Sequence, residues 1–261
     1  DRLNVSARWD DTDIVHVVQE NLLIAGTPGG PGSNGQTLTA RYDARLAIDP
    51  GIIVKLGYNR IETQIGVQLL AEGTAALPII FTSKYDDTYG MGGTFDTDNG
   101  NRDPNERQAA PGDWGGLYFG TVSSGSIDHA VITYAGGETR IPGGFAKFNP
   151  VEIHQANVRL ANSTLAWNTG ATTSDRAGRP AASASVIFVR GAQPIVVDNV
   201  IRDNTVPAMS INANALKYEQ VADWGRSTGQ LDAFAEYPDN HGPLVRGNAL
   251  ANNAVNGMVV R

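Results

Sequence analysis

The chain contains no cysteine and has few charged residues, and each shortage removes a class of function. Without cysteine, disulfides, thiolate metal sites and thiol catalysis are ruled out. Charged residues make up 18% of the chain, and its 20 Lys and Arg are outnumbered by 27 Asp and Glu, for a formal net charge of −7. Because neutralising a phosphate backbone needs a basic face, nucleic acid is disfavoured as a partner.

Long apolar runs, a P-loop and closely spaced histidines are also missing. No stretch approaches the roughly 18 apolar residues that a membrane-spanning helix needs, so we expect no membrane span in this segment. No P-loop pattern supports nucleotide chemistry. The histidines lack the short spacing that places two on one metal ion, and they are His16, His129, His154 and His241.

Turn-forming and apolar residues dominate what is present. Hydrophobic residues account for 41% of the chain, with 30 glycines and 13 prolines. This balance is typical of a folded, turn-rich β protein and not of a helical bundle or a disordered chain. We therefore predict an all-β fold.

A short repeat recurs in the second half of the chain. Its template is an apolar residue, two residues, a small residue or Asn, one residue, an apolar residue, two residues, and again a small residue or Asn. Four copies fit this template: Ile127, Ala130, Ile132, Ala135; Leu160, Ser163, Leu165, Asn168; Val196, Asn199, Ile201, Asn204; and Val245, Asn248, Leu250, Asn253.

The uneven spacing of these copies favours a coil whose loops vary in length over a helical repeat. We predict that Leu160, Val196 and Val245 stack as equivalent positions of one apolar column. Asparagine suits the bends because it tolerates left-handed backbone angles and can bond the main chain or the asparagine stacked on it. The alternative is a set of unrelated strands in an ordinary β-sandwich.

The first half carries a different set of phrases, which resembles a known group of proteins. Residues 49–83 read DPGIIVKLGYNRIETQIGVQLLAEGTAALPIIFTS, residues 111–119 read PGDWGGLYF, and residues 125–137 read GSIDHAVITYAGG. This order of phrases is similar to the right-handed parallel β-helix regions, pectate-lyase-like solenoids, of large bacterial surface and extracellular proteins.

The resemblance implies a single-stranded right-handed solenoid over residues 41–261. Long polar or turn-rich stretches between its strands predict insertions at 84–110, 169–183 and 216–242. Residues 1–40 would form an N-terminal cap or continue a preceding domain. It further implies a secreted or cell-surface, non-enzymatic structural or adhesive segment, with neighbouring domains or further copies as partners. The chain starts at Asp1 without methionine or a leader-like segment, so we expect it to be a piece of a longer protein.

An acidic segment within the first insertion predicts a calcium site. Residues 95–106 read FDTDNGNRDPNE, and their oxygen-bearing side chains are those that calcium prefers in a flexible loop. The segment is not an EF-hand, because Gly100 occupies its third acidic position. A solvated acidic loop is the alternative, and Mg²⁺ fits less well. The candidate ligands are Asp96, Asp98, Asn101, Asp103 and Glu106.

A polysaccharide lyase, a glycoside hydrolase and a carbohydrate-binding β-helix are the alternative functions, because β-helices often host them. Asp198, Arg202, Asp203 and Arg190 would meet on one face if adjacent coils stack in register, although solvated flanks of the strands explain them equally well. Four tyrosines offer a carbohydrate platform or ordinary packing, and they are Tyr85, Tyr89, Tyr118 and Tyr134. We assign no catalytic residue.

Overall fold

The computed structural model describes residues 1–27, 29–90, 107–170, 181–212 and 242–261. Within these ranges the protein is all-β and contains no helix, as the composition predicts. The strands, numbered in chain order, are β1 (Arg2–Leu3), β2 (Ala7–Trp9), β3 (Val15–Val18), β4 (Leu22–Ile24), β5 (Gly30–Pro31), β6 (Leu38–Thr39), β7 (Arg45–Ile48), β8 (Ile53–Leu56), β9 (Arg60–Thr63), β10 (Gln68–Glu72), β11 (Ile79–Ser83), β12 (Gly116–Phe119), β13 (Ser124–Asp128), β14 (Ala130–Thr133), β15 (Glu138–Ile141), β16 (Gly144–Lys147), β17 (Val151–His154), β18 (Asn157–Ala161), β19 (Thr164–Ala166), β20 (Ile187–Arg190), β21 (Ile195–Val197), β22 (Val200–Arg202), β23 (Met209–Ile211), β24 (Leu244–Arg246), β25 (Ala249–Ala251) and β26 (Met258–Val260).

Most strands belong to three long parallel sheets. Sheet A has eight strands in the order β1-β4-β9-β12-β17-β20-β23-β26, and sheet B has seven in the order β2-β7-β10-β13-β18-β21-β24. Sheet C has seven, in the order β3-β8-β11-β14-β19-β22-β25. Apart from two hairpins, the chain visits A, B and C in turn, so one circuit adds one strand to each sheet. None of the three sheets closes on itself.

The core lies between the three sheets and is built from alternate residues of each short strand. The predicted column is confirmed by the register, since Leu160 pairs with Val196 and Val196 pairs with Val245. Leu160 and Val196 are 0% exposed, whereas Val245, on the last strand of sheet B, is 42% exposed. Burying each such side chain contributes about 1.5–3 kcal/mol.

Two ladders of asparagine side chains tie the later circuits together. In the first, Oδ1 of Asn199 accepts from the backbone N of Ser163 at 3.0 Å, and Nδ2 of Asn199 donates to the carbonyl of Leu160 at 3.0 Å. In the second, Oδ1 of Asn204 accepts from the backbone N of Asn168 at 2.8 Å. These bonds satisfy backbone groups that the bends between strands leave without a sheet partner.

The left-handed backbone angles fall one residue before the asparagines, contrary to the sequence-based expectation. Asp198 precedes Asn199 with φ of 57°, and Asp203 precedes Asn204 with φ of 56°. Asn162 and Asn252 do take left-handed angles, with φ of 50° and 53°, and they lie one residue before Ser163 and Asn253.

Two antiparallel hairpins interrupt the circuit order. Strands β5 and β6 form one, and β15 and β16 form the other, with Arg140 opposite Phe145. The β15–β16 hairpin lies on the outer face of sheet A and was not among the elements predicted from the sequence.

The predicted insertions connect strands of different sheets. Residues 84–110 join β11 to β12, residues 169–183 join β19 to β20, and residues 216–242 join β23 to β24. Residues 1–40 contribute β1 to β4, which pair with one another or with β7, β8 and β9, and the β5–β6 hairpin. In the described ranges, no helix is long and apolar enough to cross a membrane.

Candidate functional site

The five predicted calcium ligands, Asp96, Asp98, Asn101, Asp103 and Glu106, lie outside the described residues, but the two ends of their insertion are described. Ser83 Oγ donates to Oδ2 of Asp113 at 2.6 Å, and the backbone N of Ala110 donates to the same oxygen at 2.9 Å. Asp113 is 2% exposed. The two ends of the insertion are therefore joined by hydrogen bonds where the chain leaves and re-enters the sheets, and we call this junction the stem.

A stack of alternating cations and tyrosines lies on this stem. The guanidinium of Arg107 sits over the ring of Tyr85 at 4.2 Å and over that of Tyr58 at 5.3 Å, and it also bonds the Tyr58 hydroxyl and Asp113. The ammonium of Lys84 lies 4.9 Å from the Tyr85 ring centroid. Each cation–π contact of this kind contributes about 0.5–1 kcal/mol at an exposed site. We call these four residues the stem stack.

A second stack continues along the same corner, where the chain turns from sheet C to sheet A. The rings of Tyr134 and Trp167 are stacked with centroids 6.0 Å apart and an interplanar angle of 17°. Arg202, one circuit further, places its guanidinium 4.9 Å from the Trp167 ring. We call these three residues the corner stack.

Three of the rings in the two stacks belong to residues with left-handed backbone angles. Tyr58, Tyr134 and Trp167 have φ of 62°, 61° and 54°, in the left-handed region. For a non-glycine residue this conformation costs about 1–2 kcal/mol. Left-handed angles also occur at bends outside the stacks, for example at Gln155 and Asp198, so they are a property of the bends of this fold. Tyr58 and Trp167 remain 55% and 41% exposed.

The rings of Trp167 and Tyr85 each contact two neighbours in the stacks. Tyr134 and Arg202 lie on Trp167, and Arg107 and Lys84 lie on Tyr85, so these faces have neighbours in the fold. Aromatic edges carry partial positive charge, and guanidinium groups are hydrogen-bond donors only. The corner is therefore suited to oxygen-rich, electron-rich ligands. Burial and the Asp86 carboxylate raise the pKa of the Tyr89 hydroxyl, and the charge of Arg202 partly offsets this.

Tyr118 does not join the predicted carbohydrate platform. It is 7% exposed on sheet A, beneath the β15–β16 hairpin, where its ring meets Phe148 at 5.9 Å and His154 at 5.1 Å.

The four charged residues considered for catalysis do not converge. Asp198 and Asp203 lie at different corners, because one precedes β22 and the other follows it. Arg202 pairs with Asp203 at 2.5 Å, and hydrogen bonds from Asn252 and Arg202 lower the pKa of Asp203. Arg190 lies on sheet A, paired in register with His154.

A buried polar cluster on the outer face of sheet A was missed by the sequence analysis. Glu62 Oε2 accepts from Nε and Nη2 of Arg60 at 2.8 and 2.6 Å. Nearby, Nε2 of His154 lies 2.6 Å from Oε1 of Glu152. Tyr118 lies between the two acids, opposite Glu62 on one strand and Glu152 on the other. All five are at most 7% exposed. We call them the outer cluster.

The remaining histidines lie in unrelated places. His16 stacks on Trp9 at 4.9 Å, and His129 lies beside Asp128 at 2.7 Å. His241 lies outside the described residues. Across the described part of the chain, no group of three or more His, Asp or Glu side chains is placed to hold a metal ion.

Comparison of the chain with protein families, curated proteins and solved structures found no match.

Proposed function

We propose that the chain is a rigid, non-enzymatic structural and adhesive segment of a larger bacterial surface protein, wound as a right-handed parallel β-helix. The observation that carries this proposal is the pair of asparagine ladders beside an unbroken apolar column. Each circuit completes the hydrogen bonds and the core of the next, which is how a solenoid resists bending.

The state of the charged side chains supports a role without catalysis. Glu62 is held by Arg60, Glu152 lies at hydrogen-bond distance from His154, and Asp128 is held by Arg159 at 2.5 Å. A general acid and base must instead face a substrate with suitable spacing. In this proposal, neighbouring domains or further copies are the partners, in a secreted or cell-surface assembly.

Antibody labelling of intact cells tests this placement. Antibodies raised against the folded chain should bind unpermeabilised cells of the source bacterium, because a surface rod is accessible from outside. Labelling that requires permeabilisation would contradict the proposal.

Calcium binding by residues 96–106 remains part of the proposal. The hydrogen-bonded stem supports calcium binding, because a loop with fixed ends loses less conformational entropy when it wraps around an ion. Removal of calcium tests it, as set out in the Discussion.

Carbohydrate binding is the second candidate function, and the two stacks favour it. They place Trp167, Arg202 and the stem residues along one corner. Hydroxyl and carboxylate oxygens of a glycan are suitable acceptors for guanidinium N–H donors.

A further inference from the structure

The β15–β16 hairpin has a small hydrophobic cluster of its own. Its strands alternate, so that Thr139, Ile141 and Ala146 are at most 9% exposed while Phe145 is 66% exposed. The buried apolar residues form a cluster separate from the main core, whose members are Tyr118, Ile141, Ala146 and Phe148.

Arg60 fastens this hairpin to the coils. Its Nη1 donates to Oγ1 of Thr139 and to the carbonyl oxygen of Arg140, both at 2.8 Å, and its guanidinium lies 4.5 Å from the Phe148 ring. The same Arg140 carbonyl accepts from Nδ2 of Asn21 at 2.7 Å. One arginine thus links Glu62 on sheet A to strand β15 and to Phe148, the residue that follows β16.

The buried charges of Arg60 and Glu62 both stabilise and destabilise the packing of the hairpin onto sheet A. Arg60 and Glu62 are 2% and 4% exposed, although they lie on the outer face of a sheet that water would otherwise reach. A buried ion pair loses hydration that its mutual attraction does not fully replace. Lifting the hairpin would rehydrate both charges, and this gain offsets part of the packing and hydrogen-bond energy that opening gives up.

We infer that the β15–β16 hairpin is a separately releasable cover, fastened by Arg60, over the outer cluster. A two-stranded hairpin is marginal by itself in water, so release is local unfolding of residues 138–148. The three sheets keep their own core and ladders during this opening. Release exposes a cryptic surface with two carboxylates, an arginine, a histidine and a tyrosine.

Hydrogen–deuterium exchange of the whole chain, followed by mass spectrometry, tests this inference. Hairpin amides should exchange faster than those of β12 and β17, because they open without the sheets. Arg60→Met should speed hairpin exchange about 10- to 100-fold, since it leaves Glu62 buried without its charged partner. Arg159→Met, which removes an ion pair on sheet B, is the matched control and should leave the hairpin unchanged.

Two further measurements keep the test decisive if Arg60→Met does not fold. Thr139→Val removes one acceptor of Arg60 with little change in shape, and should raise hairpin exchange up to about tenfold. Chymotrypsin should cut at Phe145 faster in Thr139→Val than in the unmodified chain, and fastest in Arg60→Met. Equal exchange of the hairpin and of β12 and β17 in the unmodified chain, or equal acceleration of both in the variants, overturns the inference.

Discussion

Oδ1 of Asn248 accepts two hydrogen bonds from Asn199, which lies 49 positions earlier in the sequence on the neighbouring circuit. One comes from the backbone N of Asn199 at 3.0 Å and the other from its Nδ2 at 2.9 Å. Asn199 in turn serves Ser163 and Leu160 on the other side. The ladder is therefore continuous, and each member leaves several buried groups unsatisfied when it is removed.

Replacement of Asn199 by alanine should destabilise the protein strongly. The backbone N–H of Ser163 and the carbonyl of Leu160 both lose their side-chain partner, at about 1–3 kcal/mol for each buried group. Urea unfolding followed by circular dichroism measures the loss. Asn157→Ala, at an exposed position of sheet B, is the control and should change stability by less than about 0.5 kcal/mol. Similar losses in both variants would contradict a structural role for the ladder.

Acid should remove the contribution of Asp128. Burial raises the pKa of this carboxyl, but hydrogen bonds from Asn162 and Arg159 outweigh it and lower the pKa below its ordinary value. A carboxyl with a lowered folded pKa stabilises the fold above its unfolded pKa of about 3.9. That stabilisation is lost as the pH falls through the folded pKa.

The comparison of Asp128→Asn with the unmodified chain isolates this effect. The variant should be less stable at pH 7, and the difference should shrink as the pH falls below about 4. Unfolding midpoints measured across this range provide the check. A difference that stays constant with pH would show that the charge of Asp128 is not responsible.

Calcium should stabilise the insertion that contains Asp98 and Asp103. Chelation with EDTA should lower the melting temperature, because an ion that binds only the folded state adds its binding free energy to stability. Isothermal titration with calcium should show heat that the double variant Asp98→Asn, Asp103→Asn abolishes. Glu72→Gln, in β10 of sheet B, is the control. If EDTA leaves melting unchanged, the predicted site is wrong.

Loss of the Trp167 ring should weaken glycan binding at the corner. Trp167→Ala removes the centre of the corner stack and frees Arg202 from its ring, so affinity for polygalacturonate should fall about tenfold or more. Dextran, which lacks carboxylates, should bind more weakly to the unmodified chain. Phe145→Ala removes a more exposed ring on the hairpin and should have no effect. Equal binding by both variants argues against the corner as the site.

The stacking of the repeats could be predicted from sequence, whereas the outer cluster could not. Leu160 and Val196 share a template with the asparagines that follow them, so equivalent positions could be aligned before any contact was known. Glu62 and Glu152 alternate with apolar residues, which normally directs such side chains into water. In the structure, Arg60 covers Glu62 and is itself bonded to the hairpin, while Glu152 lies at hydrogen-bond distance from His154.

A local signal for that hairpin was nevertheless present. Thr139 and Ile141 alternate with charged residues, and Pro142-Gly143-Gly144 separates them from the next apolar pair, as is typical of a turn between two strands. The contacts within the stem stack and the corner stack have no comparable signal in the sequence. Tyr134 and Trp167 occupy equivalent template positions, but nothing in the sequence places Arg107 against Tyr58.

The absence of cysteine makes the stacking of circuits directly testable. Thr164 pairs with Val131 on one side and with Val200 on the other. Neighbouring parallel strands lie about 4.8 Å apart, within disulfide reach, while Val131 and Val200 are two strands apart at about 9.6 Å. In the otherwise cysteine-free chain, the pair Thr164→Cys, Val200→Cys should cross-link on oxidation, and the pair Val131→Cys, Val200→Cys should not. Cross-linking of the second pair but not the first would contradict the stacked arrangement of the circuits.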